Sequence, residues 1–350
     1  MKIRTGIIGT GFGAQVHAPI LLKHPDYELT AISSIREGRA EKAAQELGIP
    51  AAYDDWKRMM HDSRLDLIVI VSEPSFHMEM TVYALNSGKH VLCEKPPALH
   101  LAQVAEMQNT AAGHNRVVSM NFEWRYLPER QAIKTILEEQ RLGELFHVGW
   151  SEVWPLWPRI KEEPYSWQWD LAKGGGMLGA IGSHMIDALH HWFGPFAEDV
   201  YGFTVNHVHE RRADTRIKPT NGDDSFFIHG KFKNQGTFSL QFIAAAVARP
   251  PMLEIFGSQG TLRLKGKNLS IAAHLDKDYV PIEISEPIDA SAFPLYTRGY
   301  VHPQWMLYSD LSAAISGSQT KADLPTLNDA CIVQEMMDKI RLTKSSSGEQ

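Results

Sequence analysis

One stretch of the sequence, "VLCEKPP", places a lysine where it could act on a bound substrate. Lys95 follows an apolar run that is typical of a buried strand, and ligands of α/β folds bind at the carboxyl ends of such strands. Pro96 and Pro97 stiffen the backbone behind it and fix the direction of the side chain. A lysine held in this way can polarise a substrate oxygen, although most lysines that follow a strand are simply surface residues.

A second stretch, "KGGGMLGAIGSHMIDALHHWFG", places a histidine and a carboxylate on one face of a helical pattern. His184 and Asp187 are three residues apart, and three glycines before them allow close backbone approach. Histidine is the natural general acid or base near neutral pH, and a carboxylate can orient it. A structural histidine in an amphipathic helix is the alternative. Metal ligands could have the spacing of His184, Asp187 and His191 or that of the H-x-H in "NHVHE" at 206–210, but no matching cysteine or carboxylate spacing accompanies either set, so we expect no metal site.

A glycine-rich turn, "GTGFGAQVH" at residues 9–17, directly follows the apolar run "IRTGII". The spacing Gly9-x-Gly11-x-x-Ala14 is the dinucleotide fingerprint in its Gly/Ala form. Gly9 permits the tight turn, Gly11 lets the backbone approach a pyrophosphate, and a small third residue lets helix and strand pack closely. The predicted cofactor residues of the turn are Gly9, Gly11, Phe12, Gly13 and Ala14. A plain strand-to-helix turn is the alternative, and the position of the motif at the first strand favours the cofactor.

The end of the second strand candidate bears on which dinucleotide binds. NAD-binding domains usually carry Asp or Glu here for the ribose 2'-hydroxyl, whereas this chain has Ser33 and Ser34, followed by Arg36 and Arg39. Hydroxyls and a guanidinium can bind a 2'-phosphate that a carboxylate would repel. The sequence therefore favours NADP(H), with NAD(H) as the second choice, unless the arginines are only solvated residues at a helix start.

The elements that must position these residues change in type along the chain. Up to residue 121, strand candidates alternate with helical patterns, which predicts a doubly wound parallel sheet, a Rossmann domain. Residues 122–343 begin with a helix and continue in aromatic, alternating stretches such as "LFHVGWSEVW" and "GTFSLQFIAAA", ending in two helices. This pattern predicts an α+β domain with a large, mostly antiparallel open sheet. Residues 344–350 are predicted to be a flexible tail.

Composition limits the partners. The net charge of −6 gives no reason to expect nucleic acid or an anionic membrane, and no apolar run approaches the ~18 residues of a membrane span or resembles a secretory signal. Two cysteines, Cys93 and Cys331, fit a reducing cytoplasm. An aromatic stretch suggests a small ligand, because aromatic faces stack on sugar rings, although its members can equally fill a core. They include Trp154, Trp157, Tyr165, Trp167 and Trp169.

With these motifs in order, the sequence resembles the family of glucose-fructose oxidoreductase, inositol dehydrogenase and MocA. The resemblance covers nearly the whole chain, from "GIIGTGFGAQVHAP" through "EKP" after the fifth strand to "GGGMLGAIGSHMIDAL" and "EIFGSQGTLRL". It implies a Rossmann domain and a C-terminal domain whose open sheet often forms a dimer or tetramer interface. Members mostly oxidise a secondary alcohol of a sugar, inositol or related polyol with NAD(P), or reduce the corresponding carbonyl.

The resemblance also implies roles for individual residues. The catalytic lysine and histidine of the family match Lys95 and His184, and a pocket arginine matches Arg125 in "NFEWRYLP". The remaining cofactor residues that it implies are Ser72, His77 and Glu94. Ala180 stands where many members have an aspartate, and "SEP" replaces the usual Thr-Pro-Asn, so Asp187 is the acid left near His184.

The sequence thus predicts an NAD(P)-dependent oxidoreductase acting on CH–OH groups, with Lys95 polarising the oxygen and His184 as general acid or base. We expect Arg125, Tyr165, Trp167, Trp169 and His184 to contact the substrate, a sugar or polyol. Two alternatives stay open at this point. One is a dinucleotide-binding sensor without catalysis, which the loss of the aspartate at Ala180 favours, and the other is a reductase of a non-sugar carbonyl.

Overall fold

The computed structural model of the protein describes residues 2–62, 64–234, 236–248, 250–274, 278–285, 287–318 and 323–342. The first sheet along the chain has six parallel strands. Its order is β3-β2-β1-β4-β5-β6, with the reversal of direction between β1 and β4. The strands are β1 Ile3–Ile8, β2 Tyr27–Ser33, β3 Ala51–Tyr53, β4 Leu67–Ile70, β5 His90–Cys93 and β6 Val118–Met120.

Backbone hydrogen bonds continue one residue past the central strands and align the carboxyl ends of these strands with one another. Val71 N donates to Ile8 O (2.8 Å), Glu94 N to Ile70 O (2.9 Å) and Asn121 N to Cys93 O (2.7 Å). The residues that follow β1, β4, β5 and β6 therefore share one carboxyl edge, where ligands of open α/β sheets bind.

A second, eight-stranded sheet has the order β16-β15-β14-β13-β7-β12-β11-β8, and β9 pairs with β10 in a separate ribbon. Neighbours in the large sheet are antiparallel except for β7 and β12, which are parallel. The strands are β7 Leu145–Val153, β8 Phe196–Val205, β9 Glu210–Ala213, β10 Arg216–Pro219, β11 Ser225–Phe232, β12 Thr237–Ile243, β13 Met252–Gly257, β14 Gly260–Lys265, β15 Asn268–Ala273 and β16 Val280–Pro281.

Helices alternate with the strands along the first part of the chain and recur before, within and after the second sheet. They are α1 Ala18–Leu21, α2 Arg39–Leu47, α3 Trp56–Met60, α4 His77–Asn86, α5 Leu101–Ala112, α6 Pro128–Glu138, α7 Ser183–Phe193, α8 Val301–Ile315 and α9 Leu327–Leu342. Within the described residues, no helix is both long and apolar enough to span a membrane.

The predicted fold class is confirmed: a parallel Rossmann sheet is followed by a domain with a large, mostly antiparallel sheet. The chain divides into two compact units, each built from two segments. Met1–Leu127 and Pro287–Cys331 form one compact unit, and Pro128–Glu286 with Ile332–Gln350 form the other. Residues 287–331 belong to the first unit because apolar residues of α8, such as Leu307 and Leu311, share one buried core with Ile7 of β1. The predicted tail, 344–350, lies outside the described residues.

One face of the large sheet is covered and the other is open. On the covered face, Trp150 stacks on Trp192 of α7 with ring centroids 6.1 Å apart. On the open face, Tyr201 and Phe203 alternate with buried neighbours along β8, and Phe203 is 51% exposed. Phe203 stacks on Phe227 of the adjacent strand (5.1 Å), so aromatic side chains continue across this face.

Candidate functional site

The glycine turn after β1 has the geometry that a dinucleotide requires. Gly9 has φ +117°, and a Cβ there would stand 2.1 Å from the carbonyl oxygen of Val71, so no other residue fits without a shift. A Cβ on Gly11 would meet nothing within 4 Å, so that its backbone is open to approach by a ligand. Gly13 also packs closely on the strand, since a Cβ there would lie 2.8 Å from Ile7 Cγ2, and Ala14 packs against the same core. Phe12 packs edge-on against Tyr300 at 5.1 Å.

Two serines and two arginines lie at and just after the end of β2. Ser34 Oγ accepts hydrogen bonds from Arg36 N (3.2 Å) and Thr10 Oγ1 (3.4 Å), which ties the β2 end to the glycine turn. Ser33 is fully buried, and its Oγ has no hydrogen-bond partner among the described residues. Arg36 and Arg39 are exposed at the start of α2. No carboxylate occupies positions 33–36.

Lys95 leaves the sheet just after β5, and Glu94 holds its backbone. The Glu94 carboxylate accepts the Lys95 N–H through Oε2 (3.1 Å), and the Lys95–Pro96 peptide is cis. The other oxygen, Oε1, accepts from His17 Nε2 (3.0 Å) and Asn121 Nδ2 (2.6 Å). Three elements of the same unit thus converge on the residue that precedes the candidate catalytic lysine.

Two further side chains orient these donors. The hydroxyl of Tyr308 lies 2.7 Å from His17 Nδ1, and Gln304 Nε2 donates to Asn121 Oδ1 (2.9 Å). Burial would raise the pKa of the Glu94 carboxyl, but the hydrogen bond and charge of His17 and the charge of Lys95 outweigh it, so the pKa is lowered. The carboxylate is therefore a buried anion. Sequence reasoning missed His17 and Tyr308, since nothing local to either residue signals the pairing.

His77, predicted to bind the cofactor, joins two loops at the carboxyl edge of the sheet. Its Nδ1 lies 3.0 Å from Pro96 O and its Nε2 lies 3.2 Å from Ser72 O. The ring is fully buried, and burial lowers its pKa. Any effect of His77 on a ligand would therefore act through the positions of these two loops, and its role stays a prediction.

Arg125, predicted to face a substrate, is buried and ion-paired within the first unit. Its Nη2 lies 2.9 Å from Asp329 Oδ1, and its Nη1 donates to the carbonyl oxygen of Asp323 (3.3 Å). These contacts secure the start of α9, so Arg125 has a structural role whether or not substrate reaches it.

In the second unit, His184 and Asp187 lie one turn apart on α7, and both side chains are buried. A π-helical turn, Leu178–Gly182, leads into this helix, and Asp223 Oδ2 accepts the backbone N–H of Leu178 (2.6 Å). Gly176 makes room for that carboxylate: it has φ +98°, and a Cβ there would lie 2.2 Å from Asp223 Oδ1. The glycine run that the sequence singled out thus seats the carboxylate that caps the histidine helix.

The tryptophan stretch packs against the same glycines. A Cβ on Gly175 would stand 2.4 Å from the carbonyl oxygen of Trp167, so the loop lies directly on the glycine backbone. Trp169 is buried beneath the guanidinium of Arg211, whose Cζ is 3.7 Å from the ring centroid. Arg211 also donates to the carbonyl oxygen of Ile160. Arg211 stacking of this kind was not predicted, because the residue lies in an unremarkable charged strand.

A cavity of about 160 Å³ opens between this loop and the segment after β10. Its wall contains aromatic and polar side chains. The hydroxyl of Tyr165 donates a hydrogen bond to Asp170 Oδ2 (2.9 Å) within it. Two of the predicted substrate residues, Tyr165 and Trp169, line it, whereas Trp167 does not. The lining residues are Tyr165, Trp169, Asp170, Pro219, Thr220 and Asn221.

No group of three or more His, Cys, Asp or Glu side chains in the described parts of the chain could hold a metal ion. In the "NHVHE" stretch, His207 is occupied by a carboxylate instead, with its Nδ1 2.6 Å from Asp224 Oδ1.

Two family models match the chain. Residues 3–122 match the model described as an oxidoreductase family with an NAD-binding Rossmann fold. Residues 130–263 match the model of the GFO/IDH/MocA C-terminal domain.

Individual relatives agree with these matches. The myo-inositol 2-dehydrogenase of Thermotoga maritima is 30% identical, over 74% of each chain. An uncharacterized oxidoreductase of Synechocystis is 28% identical over all of this chain and 95% of its own length. Among solved structures, a levoglucosan dehydrogenase in complex with NADH and levoglucosan superposes with a TM-score of 0.85 at 22% identity, covering 99% of this chain and 97% of that one.

Proposed function

Because this chain belongs to the Gfo/Idh/MocA family of NAD(P)-dependent oxidoreductases, we propose that it transfers a hydride to or from a secondary alcohol or carbonyl of a sugar, inositol or related polyol. The observation that carries the proposal is the carboxyl edge of the first sheet. There the glycine turn follows β1 and the lysine follows β5, and backbone hydrogen bonds align the carboxyl ends of these strands through β4.

The chemistry divides between the cofactor and the chain. A bound nicotinamide supplies or accepts the hydride at its C4 atom. In our proposal, the ammonium group of Lys95 stabilises the negative charge that develops on the substrate oxygen, and His184 takes up or returns the hydroxyl proton. Asp187, one turn further along α7, orients the imidazole.

We further propose that NADP(H) is preferred over NAD(H). The backbone N–H of Arg36 donates to Ser34 Oγ at the end of β2, which keeps the serine and the start of this segment together, and the exposed side chains of Arg36 and Arg39 add positive charge. Phosphate oxygens accept from hydroxyl and guanidinium donors, and charge-assisted hydrogen bonds of this kind are the strong ones.

The cavity in the second unit supports the proposed substrate class. Its lining combines aromatic side chains with a carboxylate and an amide, a mixture that suits a small ring with several hydroxyl groups. Two relatives are named for such substrates, one for myo-inositol and one for D-glucosides in Escherichia coli, the latter 32% identical over about half of each chain.

We also propose that the chain forms a homodimer or homotetramer through the open face of the large sheet. Exposed aromatic side chains on that face, including Tyr201 and Phe203, would be covered by a second copy.

The decisive experiment offers the purified protein NADP+ or NAD+ with a panel of inositols, glucosides and anhydrosugars, and follows the absorbance of the reduced nicotinamide. Turnover with at least one polyol is the expected result. Tight dinucleotide binding without turnover in either direction, on this panel or on the matching carbonyls, would instead favour a cofactor-bound sensor.

A further inference from the structure

Glu94 is a buried charge that the proposed reaction does not use. The residue is 6% exposed, and its carboxylate accepts hydrogen bonds from three N–H donors, those of Lys95, His17 and Asn121. A carboxylate with several donors and little water contact stays ionised, because each donor stabilises the anion over the neutral acid.

Two outer residues hold the donors of Glu94 in place. The Tyr308 hydroxyl lies 2.7 Å from His17 Nδ1, while His17 Nε2 lies 3.0 Å from Glu94 Oε1, so the imidazole bridges Tyr308 and the carboxylate. Gln304 Nε2 donates to Asn121 Oδ1 (2.9 Å), which leaves the amide nitrogen of Asn121 to face the carboxylate. The side chains of His17 and Asn121 are therefore both held toward Glu94.

The same group is a poor proton path. Tyr308 and Gln304 are both fully buried on α8, so the hydrogen-bonded chain that starts at Glu94 leads into the core and away from water. An arrangement of this kind holds a charge in place rather than moving a proton.

Topology places that charge toward one half of a bound dinucleotide. The phosphates of such a ligand lie over the glycine turn after β1, and its adenosine ribose lies at the end of β2. In the strand order β3-β2-β1-β4-β5-β6, the other half extends toward β4 and β5, and Glu94 is the residue that follows β5.

We propose that His17, Asn121, Gln304 and Tyr308 hold Glu94 as a fixed anion, and that this anion makes the site favour the oxidised, cationic nicotinamide over the reduced, neutral ring. The effect is electrostatic. A buried negative charge attracts the ring only in its positive state, and the low polarizability of a buried site preserves the attraction over several ångströms. The inference rests on the dinucleotide part of the proposed function and not on the identity of the polyol.

The test compares dissociation constants of the oxidised and reduced forms of the same dinucleotide, at one salt concentration, for wild type and Glu94→Gln. We expect the oxidised form to lose about tenfold more affinity than the reduced form. Glu28→Gln is the matched control, because it removes an exposed carboxylate from the opposite, amino-terminal end of β2 and should leave the ratio unchanged. Equal changes for both forms, or a larger loss for the reduced form, would overturn the inference.

A second variant keeps the carboxylate and weakens only its support. Tyr308→Phe removes the hydroxyl that orients His17, and we expect the ratio to move in the same direction by a smaller factor. Tyr126→Phe is its control, since it also removes a buried tyrosine hydroxyl. That hydroxyl donates to the carboxylate of Asp310 (2.9 Å) and does not contact His17. If Glu94→Gln does not fold, an unchanged ratio in Tyr308→Phe refutes the inference by itself. A wild-type protein that binds neither form refutes the dinucleotide proposal as well, an outcome distinct from binding with an unchanged ratio.

Discussion

The carboxylate of Asp223 accepts the backbone N–H of Leu178 at 2.6 Å and thereby closes the first turn of the segment that leads to His184. We expect Asp223→Ala to lower the free energy of unfolding by about 1–3 kcal/mol, because a buried N–H loses its partner. We also expect turnover to fall, since the start of the histidine helix is released. Urea unfolding and steady-state kinetics measure the two effects.

The conservative variant separates this cap from other roles of the residue. Asp223→Asn keeps an oxygen acceptor and should lose less stability than Asp223→Ala. Equal stability of Asp223→Ala and wild type would show that the cap contributes nothing.

Lys95→Met should reduce turnover by about 10²- to 10⁴-fold, because the substrate oxygen loses its charged partner. Dinucleotide affinity should change little, as measured by nicotinamide fluorescence. Lys42→Met, which removes an exposed lysine of α2, serves as the control. Wild-type turnover in Lys95→Met would remove Lys95 from the mechanism.

Arg36→Ala should weaken NADPH binding by about tenfold or more and leave NADH binding nearly unchanged, because only the 2'-phosphate interacts with the guanidinium. The measurement is a fluorescence titration with each dinucleotide at one salt concentration. Arg58→Ala, at an exposed position on α3, controls for a general loss of positive charge. A parallel loss for both dinucleotides would contradict the proposed preference.

The ion pair of the buried Arg125 with the partly buried Asp329 should make the free energy of unfolding depend on pH in the acid range. Burial would raise the pKa of the Asp329 carboxyl, but the charge of Arg125 and the hydrogen bonds from Thr326 and Arg125 outweigh it, so the pKa is lowered. A lowered pKa contributes stability above the unfolded value of 3.8, and this stability is lost as the pH falls through the folded value. Asp329→Asn should therefore lower the free energy of unfolding by about 3 kcal/mol at neutral pH. It should also make the free energy of unfolding depend less on pH in the acid range.

Thermal denaturation of wild type and Asp329→Asn from neutral pH into the acid range tests this expectation. Glu335→Gln, at an exposed position of the same helix, should leave the pH profile unchanged. Parallel profiles for wild type and Asp329→Asn would show that the pair does not govern acid stability.

Phe203→Lys should dissociate the proposed oligomer, because it places a charge on the exposed aromatic face of the large sheet. Sedimentation velocity reports the mass in solution. Ile217→Lys, at an exposed apolar position on the separate β9–β10 ribbon, is the control. A wild-type protein that sediments as a monomer at all concentrations would contradict the proposal.

Local pattern was enough to predict the first sheet, the glycine turn and the position of Lys95, because strand periodicity and turn chemistry depend on neighbouring residues. It was not enough for the partners of these residues. His17 and Tyr308 are 291 positions apart, and Asp223 reaches Leu178 across 45 positions. Such contacts leave no periodic signal in one sequence.

The short elements β3 and α3 were missed for a related reason, since 3 and 5 residues are too few to show a period. The roles of Lys95, His184 and Asp187, the preference for NADP(H), the oligomer and a cytoplasmic location stay predictions.

The return of residues 287–331 to the first unit has a consequence for synthesis on the ribosome. Protein chains emerge from their amino terminus, yet Gln304 and Tyr308, which orient the donors of Glu94, come almost at the end of this chain. A nascent chain that has released all six strands of the first sheet still has no α8 to complete the core or the support of Glu94. The sheet next to Lys95 therefore reaches its final form only after the strands of the second sheet have been translated, so a premature stop just before α8 leaves all the strands of the first sheet present and its core incomplete.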